Sequence, residues 1–406
     1  LAAPLMWVRR AQAAAPRVVV VGGGAGGAIL ARTLARSGAG LEITLVEPKA
    51  RYTTCFFSNR YIGGLQTFDS ITHGYEKLSG ELGIRVISDE AAAIDPDART
   101  VRLAGGGTVT WDRLVMAPGI DFRWDAIEGY GPQAAETMPH AWRAGPQTRL
   151  LRAQLEEMPD GGTFLIAPPE EPYRCPSGPY ERVSLVANYF KQAKPKSKIV
   201  ILDAKSEFPL QELFEEGWTS NYPGMIEVIP AEFSGGPRAV DLSTMTVMSE
   251  DSRFKVDVAN IIPPQLAGGI ARDSGLADDS GWCPVHHESF ESTVMPGVFV
   301  IGDSAIASPM PKSGYSADLQ AKICARAILL ALTGKAGKGP AIGGACWSHI
   351  APNNAVREYA EFEYVDGSIV RTRLDINATG EDAEARAATA AAAEHWYREI
   401  TGEMFG

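Results

Sequence analysis

A glycine-rich turn, and an acidic residue set a fixed distance beyond it, have the types and spacing suited to chemistry in this 406-residue chain. Gly22-x-Gly24-x-x-Gly27 follows a β-branched run and opens a helical pattern. Gly22 permits a tight turn, Gly24 lets the backbone approach a pyrophosphate, and Gly27 allows close helix–strand packing. The start of the following helix adds unpaired N–H groups and a partial positive charge. Glu47 lies 20 residues beyond Gly27, where a carboxylate can accept hydrogen bonds from an adenosine ribose. A lone glycine fingerprint is a weak signal. With strand, helix and Glu47 in their places it predicts a dinucleotide site.

These residues need elements to hold them. Arg17–Val21 is a β-branched run, the mark of a buried parallel strand. Ile29, Leu30, Thr33 and Leu34 recur at helical spacing, Gly38 lies near the end of that helix, and residues 41–46 form the next strand, giving a βαβ unit. Short apolar runs at 115–118 and 298–301 end in Pro or Gly. Val298-Phe299-Val300-Ile301-Gly302-Asp303 looks like the second FAD fingerprint of flavoproteins with two dinucleotide domains, in which the Asp bonds the ribityl chain. The plainer alternative is a buried strand with a capping Asp. Ala117-Pro118-Gly119 resembles the Ala-Thr-Gly turn that crosses between domains in the same superfamily. Pro48, Lys49 and Val86 complete the expected FAD contacts on this side.

A second βαβ unit is read at 164–167, 180–191 and 199–202. Where NAD(P)H-dependent flavoproteins carry another glycine loop, this chain has Pro168-Pro169-Glu170-Glu171-Pro172. Prolines lack N–H donors, and the two carboxylates would repel a pyrophosphate. No NAD(P)H is therefore expected. From about residue 341 the character changes to a polar segment and an Ala/Glu-rich helix at 381–400. The expected fold class is α/β. It comprises two Rossmann-like dinucleotide-binding domains of the FAD-dependent disulfide reductase type plus a smaller C-terminal α+β domain. The FAD-binding domain takes 16–127 and 269–340, the NAD-like domain 128–268, and the C-terminal interface domain 341–406.

Five cysteines are present: Cys55, Cys175, Cys283, Cys324 and Cys346. No C-x-x-C occurs, which disfavours a zinc ribbon, and no C-x-x-C-H, so this chain attaches no c-type haem of its own. The six histidines show no H-x-x-x-H or H-E-x-x-H spacing, and no metal site is expected. Cys55 lies eight residues after Glu47, in a segment that passes close to the isoalloxazine ring in this fold. Its thiol suits redox chemistry or flavin attachment. Cys175 sits in a Pro/Gly-flanked turn, and Glu181, six residues on near a helix start, could act as a base. Taken alone, each cysteine is more commonly a buried, inert thiol.

Composition bounds the function. Hydrophobic residues make up 45% and charged residues 21%, which excludes a disordered chain. A net charge of −11 argues against nucleic-acid binding, which needs a Lys/Arg surplus, and is compatible with a basic partner. No run of about 18 apolar residues occurs, so no membrane span is expected. Residues 1–15 read as an export-leader remnant, with Ala11-Gln12-Ala13 suiting a signal-peptidase site; a flexible Ala-rich extension is the alternative. Export would place the chain where disulfides persist.

The segments RYTTCFFSN, HGYEKL, APPEEPYRCPSGPYER, NIIPPQ, GWCPV, GDSAIASPMPKSGYSA and HWYREI resemble, in order, the flavoprotein subunit of flavocytochrome c sulfide dehydrogenase. The resemblance implies that Cys55 bears FAD through a thioether and that Cys175 and Cys346 form a redox disulfide beside the flavin. It further implies that Glu181 and Trp396 lie near the catalytic face, and that Lys312, Gly314 and Tyr315 flank the pyrimidine side of the ring. Hydrosulfide is then the substrate, a haem-bearing c-type cytochrome subunit the partner in a heterodimer, and the periplasm the compartment. Cys283 and Cys324 are left to core packing. The rivals are a sulfide:quinone oxidoreductase, disfavoured by the polar tail from Glu394 to Ile400, and an NADH-dependent flavoprotein, disfavoured by Pro168–Glu171. A non-catalytic flavin-carrying electron-transfer subunit is disfavoured by the three cysteines.

Overall fold

A computed structural model describes residues 14–406, so residues 1–13 of the expected leader remnant lie outside the described residues. Arg17–Val21 is Val-rich, and its last four residues are buried, as a strand covered on both faces must be. It pairs in parallel with Glu42–Val46 and with Arg113–Met116, and Arg85–Ile87 and Val298–Val300 extend this parallel set. Glu291–Ser292, Cys283–His286 and Ala305–Ile306 complete an eight-stranded sheet. The parallel run brings Gly22, Glu47, Ala117 and Gly302 to the carboxyl edge of that sheet, where ligands of open α/β sheets bind.

A second, four-stranded parallel sheet has the order Ile226–Ile229, Lys198–Leu202, Thr163–Ala167, Val258–Ile261. Its helix Gly178–Ala193 begins two residues before the expected 180, because Pro179 is tolerated in a first helical turn. The chain crosses between the sheets twice. The crossing strands Ile120–Phe122 and Gln265–Ala267 pair antiparallel, with Phe122 opposite Gln265. This is the expected two-dinucleotide-domain α/β fold.

The segment after residue 341 is the smaller α+β unit expected there, and its polar stretch is strand. Gly343–Ala351, Asn354–Val365 and Ser368–Ile376 form a three-stranded antiparallel meander against the terminal helix Ala383–Phe405. Arg371, Thr372 and Arg373 are exposed, so the apolar alternation that marks a strand is weak there. Asp382 caps the terminal helix, accepting from the Ala385 N–H at 2.8 Å. The helix runs past residue 400 because Met404 and Phe405 are buried, with Phe405 stacked on His73 at 5.0 Å between centroids.

Candidate active site

A cavity of about 520 Å³ opens at the carboxyl edge of the eight-stranded sheet. Gly22 takes φ +101°, and a Cβ there would lie 2.2 Å from the Ala117 carbonyl oxygen. A Cβ on Gly27 would lie 1.9 Å from the Gly22 oxygen. Neither position admits a side chain. Gly24 is the N-cap of helix Ala25–Arg36, whose first turn has no acidic residue and no capping side chain. Its N–H groups are left for an anion. Buried Glu47 accepts from the Gly23 N–H at 2.8 Å and the Lys49 N–H at 3.0 Å. It braces the loop as well as lining the cavity, a role beyond the expected ribose contact. Pro48, Lys49, Ala117, Gly119, Gly302 and Asp303 lie on the same wall. An open helix start, a glycine cradle that any Cβ would fill, and two carboxylates suit FAD.

Beside this cavity is a smaller chamber of about 90 Å³, and Cys55, Phe56, Arg174, Ser313 and Gly314 line both. The chamber holds Cys175, Cys346, Glu181, Tyr315 and Trp396. Residues from the segment that follows the first βαβ unit, from the second unit and from the C-terminal meander and helix thus meet around one space. Cys175 and Cys346 are free thiols here, so the implied disulfide is not formed in this structure.

Cys175 adopts a left-handed φ of 57°. Its N–H donates to the Lys312 carbonyl at 2.7 Å, and its carbonyl accepts from the Gly178 N–H at 2.8 Å. Only glycine fits at 178, because a Cβ there would lie 2.9 Å from the Cys175 sulfur. Burial pushes the Cys175 thiol well up, and the Glu181 charge adds to this. Burial pushes Cys346 up to about 11, with the Ser313 hydroxyl working the other way. Arg174, 3.4 Å from Asp303, is the cation between the two spaces. Burial works against its charge, but Cys55, Asp303 and Tyr52 hold its pKa above the ordinary value.

Glu181 is clamped. Its Oε1 accepts from the His349 N–H at 3.0 Å and His349 Nδ1 at 3.2 Å, and its Oε2 from Asn59 Nδ2 at 2.8 Å. Burial opposes the carboxylate, yet these donors hold it below the usual carboxylate range. Asn59 is fixed in turn, its Oδ1 accepting from Arg182 Nε at 2.9 Å. Trp396 packs between Trp347 and Phe56, both at 5.5 Å between centroids.

Two expected contacts are not where the sequence put them. Val86 does not line the cavity; it sits on the edge strand opposite Leu45 and packs on the core, while Glu90, Ala91 and Ala92 face the cavity. The Lys312 side chain also turns away. Its Nζ donates to the Asp303 and Ala305 carbonyls at 2.7 and 3.0 Å and lies 3.7 Å from the Trp282 ring centroid. Burial lowers its pKa to about 8. Lys312 serves the site through its backbone carbonyl, which holds Cys175. Cys283 and Cys324 are both buried among apolar side chains.

Arg174, Asn59 and His349 went unread in the sequence. Arg174 and Asn59 at least lie beside the singled-out Cys175 and in the Cys55 segment. His349 carries no such signal, since its partner Glu181 is 168 residues away.

Parts of the chain match family models. Residues 148–263 match "Sulfide dehydrogenase [flavocytochrome c] flavoprotein chain, central", and residues 338–405 match "Flavocytochrome c sulphide dehydrogenase, flavin-binding". A sulfide dehydrogenase [flavocytochrome c] flavoprotein chain from Chlorobaculum thiosulfatiphilum is 56% identical over 43 residues, which are 11% of this chain and 90% of that sequence. The chain belongs to the flavocytochrome c sulfide dehydrogenase flavoprotein family. Members of this family are FAD-dependent, sulfide-oxidising flavoproteins. Residues 16–155 match the pyridine nucleotide-disulphide oxidoreductase model, which covers the glycine loop. The chain is also similar to the mitochondrial sulfide:quinone oxidoreductase of Mus musculus, at 25% identity over 77% of this chain and 70% of that one. The solved sulfide:quinone oxidoreductase of Aquifex aeolicus superposes with a TM-score of 0.79 at 18% identity, covering 96% of this chain and 92% of that one, a likeness of fold. Among the described residues no helix is long and apolar enough to cross a membrane.

Proposed function

We propose that this flavoprotein oxidises hydrosulfide in the periplasm through a Cys175–Cys346 disulfide, holds FAD covalently at Cys55, and delivers electrons to a c-type cytochrome subunit. The observation that carries the reading is the placement of Cys55 on the wall shared by the dinucleotide cavity and the chamber of Cys175 and Cys346. Gly22, Gly24, Gly27 and Glu47 would hold the ADP half of FAD, and Gly302 and Asp303 its ribityl side. Bound FAD supplies an acceptor that takes electrons in pairs and releases them singly.

The chain's own chemistry follows from its thiols. Hydrosulfide attacks the disulfide, a new S–S bond forms to one cysteine, and the Cys175–Cys346 bond breaks to leave the other as a thiolate. Burial disfavours that charge, and Arg174 is the cation placed to offset it. Glu181, kept ionised by His349 and Asn59, is the base in the chamber beside Cys175. No NAD(P)H is needed: the segment where a nicotinamide phosphate loop would lie instead carries Arg174 and Cys175 onto the chamber wall. An oxidising compartment would keep such a disulfide formed between turnovers.

Quinone is the competing acceptor, favoured by the similarity to sulfide:quinone oxidoreductases. The terminal helix supports the cytochrome instead. Its exposed positions include Glu384, His395, Arg398 and Glu399, and none carries a large apolar side chain. The mass of the peptide containing Cys55 tests the flavin link: an FAD-sized increment is expected, and an unmodified Cys55 in flavin-loaded protein removes it. Hydrosulfide is expected to bleach the flavin spectrum of the isolated chain; an unbleached flavin beside an intact disulfide would point to an electron carrier that does not oxidise sulfide.

A further inference from the structure

We infer that a small pocket on the outer side of Cys346 is the port through which hydrosulfide reaches that sulfur, with Arg371 and Glu358 setting its charge selectivity. The inference rests on the reading of Cys346 as half of a redox disulfide. Cys346 lines two separate spaces. One is the chamber it shares with Cys55 and Cys175; the other is a pocket of about 20 Å³ bounded by Pro309, Pro311, Tyr315, Glu358 and Arg371. That volume holds one water-sized species. It suits hydrosulfide and is too small for a sulfur oxyanion. The inner chamber shares Cys55, Phe56 and Arg174 with the dinucleotide cavity, so FAD held at Cys55 would crowd that side of Cys346 and leave the outer pocket clear.

Tyr315, together with Ser313 and Ala345, lines both spaces and stands between them. Tyr315 lies over Gly344, where a Cβ would come within 1.6 Å of the tyrosine ring. Gly344 is therefore the residue that lets this ring sit against the strand carrying Cys346. Glu358 is the cross-strand partner of Cys346. Opposite residues of an antiparallel pair share a face, with Cβ atoms about 5 Å apart, so a carboxylate stands directly beside the sulfur. Arg371, exposed on the edge strand Ser368–Ile376, is the cation on the pocket wall, and its charge acts on Glu358. The cation draws a small anion in. The carboxylate opposes accumulation of negative charge at the sulfur and so discriminates against polyvalent anions.

Cyanide is an anion of similar size and opens a disulfide with a visible product: a C–S bond forms to one sulfur, the S–S bond breaks, and the other sulfur leaves as thiolate. The test measures the second-order rate of this opening in the oxidised, FAD-loaded full chain, and locates the thiocyanate by peptide mass. Arg371→Gln is expected to slow the reaction roughly 3- to 10-fold, and Glu358→Gln to speed it by a similar factor, both at low salt. The thiocyanate is expected on Cys346. Thiocyanate on Cys175, or rates that ignore both substitutions, overturns the port alone. Absence of thiocyanate in protein whose Cys175 and Cys346 both titrate as free thiols overturns the redox-disulfide reading and the port with it.

Discussion

Glu181 shows how little of a reactive group's behaviour resides in the group itself. A carboxylate in that chamber would be driven toward its neutral form by burial, and three donors from His349 and Asn59 reverse this. The sign of the consequence is fixed. The folded-state pKa is below the ordinary value, so the carboxylate and what depends on it persist as pH falls, until pH passes through that lowered value. His349→Phe keeps the bulk and the backbone N–H but removes the Nδ1 donor. The acid limb of hydrosulfide-driven flavin bleaching should then move to higher pH, and unfolding free energy should drop by about 1–3 kcal/mol for the weakened buried carboxylate. Stopped-flow bleaching across pH 4–8 checks it, and an unmoved acid limb would show that Glu181 is not the titrating base. Cys55, Cys175 and Glu181 were readable because their segments resemble the family, and Cys346 only as what that resemblance implies; taken alone, each cysteine reads as a buried, inert thiol. His349 was not, because the clamp joins strand Gly343–Ala351 to helix Gly178–Ala193, and no local pattern encodes a contact of that range.

The glycine loop is the element whose sequence and geometry agree most closely. Gly27→Ala would put a methyl group 1.9 Å from the Gly22 oxygen, forcing the helix off the strand. Purified Gly27→Ala protein is expected to retain under a tenth of the wild-type flavin, read from the ratio of visible to ultraviolet absorbance; full flavin loading would contradict the cradle. The junction between the two dinucleotide units makes a second prediction. His140 packs against Phe122 and Trp124, and its Nδ1 accepts from the Trp142 N–H at 2.9 Å. Burial pushes its pKa down to about 3, so the folded state binds the neutral ring. Stability from this group is complete above an unfolded value of about 6.5 and is lost as pH falls toward 3, at up to about 1.4 kcal/mol per pH unit. His140→Asn keeps an acceptor for Trp142 and should flatten the fall in Tm between pH 6.5 and 4; an unchanged acid profile would sink the assignment. Strands with β-branched runs and helices with Pro or Gly at their ends were legible in the sequence. The meander at Gly343–Ile376 was not, because one of its faces is polar and its edge strand exposes alternate arginines. Val86 and Lys312 failed for a related reason: sequence gives the segment that passes the cavity, and packing decides which way each side chain turns.

The chain as a whole presents a net charge of −11 and a terminal helix without large exposed apolar side chains. Those two properties bear on the acceptor, the point on which similarity to sulfide:quinone oxidoreductases pulls the other way. A quinone is uncharged and reaches its enzyme from an apolar phase, so its reduction should be nearly independent of salt. A basic cytochrome meeting this acidic surface is steered by the field of both proteins. The Debye length falls from about 30 Å at 0.01 M to about 8 Å at 0.15 M, which removes most of that steering. Sulfide oxidation supported by a basic c-type cytochrome should therefore slow roughly 10-fold or more between those ionic strengths. Hydrosulfide bleaching of the flavin in the isolated chain involves no second protein and should change by no more than about 2-fold over the same range. The pair of measurements separates the steps, because a salt effect on substrate entry would appear in both and an effect on docking in only the first. Turnover with a short-chain quinone that exceeds turnover with cytochrome, and that ignores salt, would reverse the assignment of the acceptor while leaving the thiol chamber and its sulfide chemistry as they stand.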